Sequence, residues 1–223
     1  MLEAVLFDLD GVITDTAEYH FQAWKALADS LGIEIDRKFN EQLKGVSRKD
    51  SLNRILAYGH KENQYSEEEK EALMKQKNDH YLTMIQKMTP EQILPGMNDL
   101  LHDLKNNGIK IVLASASQNG PMILNRLGLD QLFDGIADPT KVAHGKPAPD
   151  IYLEAARVAG VCPSHCVGVE DAASGVDAIN QSKIVSVAIG DKEELKEADV
   201  IVATTAKVTL PLIKKAWEDC HVS

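Results

Sequence analysis

Short apolar runs punctuate the chain at residues 3–7, 109–113, 135–137, 166–169, 184–189 and 200–203, most of them bounded by Gly, Asp or Ser. Runs of this length rich in Val, Ile, Leu and Phe predict buried strands. Helical patterns lie between most of them, and such alternation predicts a parallel sheet joined by crossover helices. Between the first and second runs lie about a hundred residues with several helical patterns and no convincing strand, far more than one crossover requires. An all-helical insert is the economical explanation. The expected fold is therefore α/β, a Rossmann-like parallel-sheet core formed by residues 1–14 and 89–223, with residues 15–88 as an inserted helical domain.

Local signals place the helices of the insert near residues 16–31, 47–57 and 66–86. Thr14, Asp15 and Thr16 offer N-cap oxygens to the first, Ser47 can cap the second, and Ser66 stands three residues before Glu69 in a capping-box pattern. Pro90, Pro95 and Gly96 then break the pattern ahead of an amphipathic stretch at 97–105 that leads into the second strand. No internal repeat or low-complexity segment is present, so the whole chain is expected to be ordered.

Composition narrows the function. The chain of 223 residues can hold a core domain with a smaller insertion. With 24 basic and 34 acidic residues, a net charge of -10, it has no general attraction for nucleic acid or an anionic membrane. A phosphorylated substrate would need local cations. Three scattered cysteines make no disulfide framework, and no apolar run approaches the roughly 20 residues that span a bilayer. The first strand begins without a basic leader, so the cytosol is the expected compartment and a monomer the default state. Cys162-Pro163-Ser164-His165-Cys166 superficially resembles a metal site, but one short cluster leading into a strand reads better as buried thiols.

The sharpest local chemistry is Asp8-Leu9-Asp10-Gly11 at the end of the first strand. Carboxylates two residues apart on an extended chain point the same way. At the carboxyl end of a parallel strand they can hold a divalent cation, divide the roles of nucleophile and acid/base, or simply terminate the strand. Glu170-Asp171 closes the run at 166–169 and is expected on the same sheet edge, with Asp171 also capping the helix that follows. Four carboxylates on one edge repel, and a hard cation such as Mg²⁺ relieves the repulsion. Ser115, with Ala116, Ser117 and Asn119 after it, and Lys146, in a loop stiffened by Pro147 and Pro149, can hold phosphoryl oxygens there. Read singly, each is as well explained as a turn residue or a solvated lysine. In the insert, Thr16, His20 and Trp24 recur every four residues on one helix face, and Arg48 and Ser51 lie with Lys44 and Gly45 around a helix start suited to a second phosphate. Trp24 can equally belong to the buried stripe with Phe21, Leu27 and Leu31. Lys75, in a charged helix, is a weaker candidate.

Asp8-Leu9-Asp10-Gly11-Val12, Ser115, Lys146-Pro147 and Glu170-Asp171 occur in the order used by the haloacid dehalogenase superfamily of phosphotransferases, which the core resembles throughout. The resemblance implies that Asp8 is the nucleophile and Asp10 the acid/base, that Ser115 and Lys146 contact phosphate, and that Asp8, Asp10, Glu170 and Asp171 form the metal site. Residues 16–24, 43–52 and 114–121 further resemble the glucose-phosphate mutases of that superfamily. This implies Mg²⁺-dependent interconversion of β-glucose 1-phosphate and glucose 6-phosphate, with β-glucose 1,6-bisphosphate as intermediate and activator and the insert acting as a closing cap. The resemblance leads to the expectation of a basic residue in many relatives where this chain has Gln118. A sugar-phosphate phosphatase would use the same core motifs. A receiver domain fits poorly with the long insert, and a dinucleotide-binding dehydrogenase lacks its glycine-rich turn.

Overall fold

The computed structural model describes residues 1–43 and 46–221. Its helices are α1 (Ala17–Ser30), α2 (Arg37–Asn40), α3 (Arg48–Tyr58), α4 (Glu67–Ile85), α5 (Met97–Asn106), α6 (Gly120–Arg126), α7 (Asp150–Ala159), α8 (Ala173–Gln181) and α9 (Leu210–His221). The chain divides into two compact units, one formed by Met1–Asp15 with Thr89–Ser223 and the other by Thr16–Met88.

In the first unit the strands β1 (Ala4–Phe7), β2 (Lys110–Leu113), β3 (Gly135–Ile136), β4 (Cys166–Glu170), β5 (Val185–Ile189) and β6 (Val200–Val202) form a parallel sheet of order β3-β2-β1-β4-β5-β6. Every residue of β1, β4 and β5 is buried, as expected of parallel strands covered on both faces. The edge strands β3 and β6 are shorter and only half-buried. Helix α7 shows how the layers close, since Ile151, Tyr152, Ala155, Ala156 and Ala159 pack with Ala4, Leu6, Val112 and Cys166 of the sheet. It ends at Gly160, whose left-handed backbone (φ +66) suits a helix terminator.

The register decides what stands at the sheet edge. Phe7 pairs with Leu113 on one side and Val169 on the other, so Asp8, Ala114 and Glu170 emerge next to one another. The chain builds outward from β1 through β2 to β3, then returns to build the other side from β4. Open α/β sheets bind ligands at the carboxyl ends of strands where the order reverses in this way.

The second unit is helical. Trp24, Leu27 and Ala28 of α1 pack with Ile33, Ile35, Phe39, Leu52, Ile55 and Leu56. Two of the expected caps are formed: Ser47 Oγ accepts the Asp50 N–H at 3.1 Å, and Ser66 and Glu69 make a reciprocal capping box. Thr16 stands at the N-cap of α1 but makes no side-chain capping bond. It is buried, and its hydroxyl oxygen accepts from the Tyr81 hydroxyl of α4 at 3.1 Å.

Two further expectations are corrected. Of the clustered thiols only Cys166 is buried, packed into the sheet core, while Cys162 is exposed ahead of a single helical turn. Asp171 does not cap α8; Ala172 occupies the cap position and makes no side-chain bond. Among the described residues no helix is long and apolar enough to cross a membrane.

Candidate active site

Asp8 follows β1, Ser115 stands two residues beyond β2, and Glu170 closes β4. Carboxylate oxygens of Asp8, Glu170 and Asp171 all lie within 4.8 Å of one another. Lys146, 8% exposed and joined to Pro147 by a cis peptide bond, donates to Asp8 Oδ1 at 2.7 Å and to Glu170 Oε1 at 2.5 Å. Glu170, 1% exposed, also accepts from the Tyr152 hydroxyl on Oε1 at 3.2 Å. Its Oε2 takes the Asp171 and Ala172 N–H groups at 2.9 and 3.1 Å. These bonds brace the turn just ahead of α8, whose first residue is Ala173.

Two glycines leave room for the acids. A Cβ on Gly175 would lie 1.8 Å from Glu170 Oε1, and one on Gly11 would lie 2.0 Å from Asp171 Oδ2. Gly11 also has φ +74, a backbone region that side chains rarely adopt, and it turns the chain after Asp10 so that its N–H reaches the Thr14 carbonyl at 2.8 Å.

Burial and mutual repulsion dominate the electrostatics. Asp8 is raised to about 7, first by burial, then by Glu170 and Asp10, with Lys146 opposing. Asp171 is raised to about 8 by burial and by the charges of Glu170, Asp8 and Asp10. Burial works to lower the Lys146 ammonium, but Asp8 and Glu170 outweigh it and hold Lys146 above the ordinary lysine range. Burial pushes the Tyr152 phenol well above its ordinary value, so it remains a donor. One ammonium does not balance this many carboxylates. The arrangement can take up protons or a cation, and an all-oxygen donor set suits a hard metal ion.

Asp10 is half-buried, and its backbone bridges to Thr14. Its charge is felt at Asp8 and Asp171, but its carboxylate is not one of the three that cluster. Ser115 is buried, and its Oγ accepts the Ser117 N–H at 3.1 Å; Ser117 Oγ in turn accepts the Asn119 N–H at 3.2 Å. A hydroxyl that accepts in this way keeps its proton for another acceptor. Ala116, Ser117 and Asn119 are half-buried, and Gln118 is exposed.

The second unit holds a polar cluster of its own. The Lys77 ammonium, on a residue 3% exposed, lies 2.9 Å from His20 Nδ1 and 4.8 and 4.7 Å from the ring centroids of Trp24 and Tyr81. An ammonium has only protons to offer, so Nδ1 accepts and the neutral imidazole carries its proton on Nε2. Burial, then the charges of Lys77 and Arg48, hold His20 well below the ordinary histidine range. Arg48 donates to Asn78 Oδ1 at 2.9 Å, and Ser51 is buried in the first turn of α3. Lys75 is exposed and paired with Asp79 at 2.6 Å. Lys44 and Gly45 lie outside the described residues. Lys77 was not singled out by its sequence context, although a signal existed: it shares a four-residue stripe with Leu73, Tyr81 and Ile85, the inner face of α4.

A family model for haloacid dehalogenase-like hydrolases matches residues 2–183. The chain belongs to this family. Within it, the chain is 48% identical to β-phosphoglucomutase of Bacillus subtilis over 221 residues, covering 99% of this chain and 98% of that one. The crystal structure of β-phosphoglucomutase from Clostridium difficile matches with a TM-score of 0.98 at 48% identity, over 100% of both chains. A phosphorylated-carbohydrate phosphatase of Thermotoga maritima is 27% identical over 96% of this chain and 99% of that one. The acidic cluster of Asp8, Glu170 and Asp171 lies within the matched residues and could hold a metal ion.

Proposed function

We propose that this protein is a β-phosphoglucomutase, an isomerase that interconverts β-D-glucose 1-phosphate and glucose 6-phosphate through an aspartyl-phosphate on Asp8 and enzyme-bound β-glucose 1,6-bisphosphate. The observation that carries the reading is the Asp8 carboxylate at the switch point of the sheet, bonded to Lys146 at 2.7 Å and within 4.8 Å of Glu170 and Asp171. The 48% identity to β-phosphoglucomutases over the whole chain supports the choice of reaction.

Phosphorylated Asp8 gives its phosphoryl group to a hydroxyl of the sugar monophosphate. The Asp8 O–P bond breaks, a sugar O–P bond forms, and the Asp10 carboxylate takes the hydroxyl proton. After the bisphosphate turns around, Asp8 attacks the other phosphorus. That sugar O–P bond breaks, and Asp10 returns its proton to the leaving oxygen. Lys146 holds Asp8 in place and offsets charge on the group in transfer. Mg²⁺ held by Asp8, Glu170 and Asp171, with Asp10 beside them, would supply further charge stabilisation for the phosphoryl group. Ser115, Ala116, Ser117 and Asn119 are assigned to the phosphoryl oxygens. Thr16, His20, Trp24, Lys44, Gly45, Arg48, Ser51 and Lys75 are assigned to the sugar and its second phosphate, and the buried ammonium of Lys77 adds a cation better suited than Lys75 to that work. The helical unit acts as a cap in this reading, and the enzyme is a cytosolic monomer whose partner is a small phosphorylated sugar.

The test is rapid quenching after mixing with phosphorus-labelled β-glucose 1,6-bisphosphate. Wild type should acquire acid-stable label on Asp8, Asp8→Asn should acquire none, and Asp10→Asn should isomerise about 10²- to 10⁴-fold more slowly. Label retained by Asp8→Asn would refute the assignment of the nucleophile.

A further inference from the structure

Tyr152 enters no step of this reaction, yet it is fully buried against the site. The rest of the inner face of α7 is apolar: Ile151, Ala155, Ala156 and Ala159. A phenylalanine would fill nearly the same space, and a hydroxyl buried there is unfavourable unless bonded. The Tyr152 hydroxyl finds its acceptor on Glu170 Oε1 at 3.2 Å, while its ring centroid lies 5.1 Å from Lys146 Nζ. One side chain thus touches both the acid of β4 and the cation shared by that acid and Asp8.

We infer that Tyr152 is a positioning residue of the metal and phosphoryl site, its hydroxyl fixing the Glu170 carboxylate for a divalent cation and its ring face fixing the Lys146 ammonium. The inference rests on the function proposed above. Without the hydroxyl, Lys146 is the remaining side-chain donor to Oε1 among the described residues, and it is shared with Asp8. The carboxylate then has more freedom to turn, and a metal must order it on binding. Hydrogen-bond partners behind metal ligands commonly change affinity by about 10- to 100-fold. Without the ring, the ammonium also loses the aromatic face that holds it between two acids.

Calorimetric titration of the full chain with Mg²⁺ tests this, alongside metal-free melting temperature and the Mg²⁺ dependence of turnover. Tyr152→Phe should bind Mg²⁺ about 10-fold more weakly, melt as wild type does without metal, and recover most of its kcat at saturating Mg²⁺. Tyr152→Leu, lacking ring and hydroxyl, should bind Mg²⁺ weakly and keep a depressed kcat at saturation. Wild-type Mg²⁺ affinity in Tyr152→Phe, whatever its melting temperature, would overturn the inference and leave the mutase reading standing. A wild-type chain that took up no Mg²⁺ would overturn both.

Discussion

Gly175 contributes to the site through the side chain it lacks. Its position inside α8 needs no unusual backbone, and alanine there would ordinarily favour a helix by up to about 1 kcal/mol. The added methyl group would nevertheless fall 1.8 Å from Glu170 Oε1, so either the carboxylate or the helix must move. Gly175→Ala is therefore expected to weaken Mg²⁺ binding by about 10-fold or more while circular dichroism still reports a folded chain. Unchanged affinity in a calorimetric titration would show that Glu170 tolerates displacement. Lys146 illustrates the complementary constraint, because a buried ammonium persists through its two carboxylate partners, and removing one partner of such a pair commonly costs about 3–5 kcal/mol.

The strands were legible in the sequence because buried parallel strands leave uninterrupted apolar runs, and β1, β2, β4 and β5 begin and end within a residue or so of those runs. Ser47 and Ser66 were legible for a related reason: a cap is a contact between near neighbours in sequence. What could not be read locally was decided by distant partners. Thr16 makes no capping bond, and its hydroxyl oxygen instead accepts from Tyr81, 65 residues away. Glu170 braces the turn before α8, because Lys146 and Tyr152 hold one of its oxygens and leave the other facing the Asp171 and Ala172 N–H groups. On α4 the choice between Lys75 and Lys77 depends on which face turns inward. The stripe through Leu73, Tyr81 and Ile85 indicates that face, but a charged helix obscures it. The short α2, with α6 and α9, lies outside the stretches that the expected caps mark as helical.

Across the whole molecule, the cluster links stability to pH and to metal. A carboxyl group whose folded value is raised holds its proton more tightly in the folded state, so it contributes stability at low pH that is lost as pH rises. Asp8 and Asp171, raised to about 7 and about 8, place that loss between the unfolded carboxylate value and about pH 8. Metal-free protein should accordingly melt at a lower temperature at pH 8 than at pH 5.5. Added Mg²⁺ should raise the melting temperature more at pH 8, where protons no longer compete for the acids. An equal Mg²⁺ effect at both values, read by scanning calorimetry, would separate the raised carboxyls from the metal site. In catalysis the same acids face a sharper demand, since Asp8 must pass its phosphoryl group to a sugar rather than to water. The most direct measurement is a phosphorus NMR time course with β-glucose 1-phosphate, Mg²⁺ and trace β-glucose 1,6-bisphosphate. The mutase account predicts that glucose 6-phosphate accumulates with little free phosphate; free phosphate without glucose 6-phosphate would contradict it and identify a phosphatase.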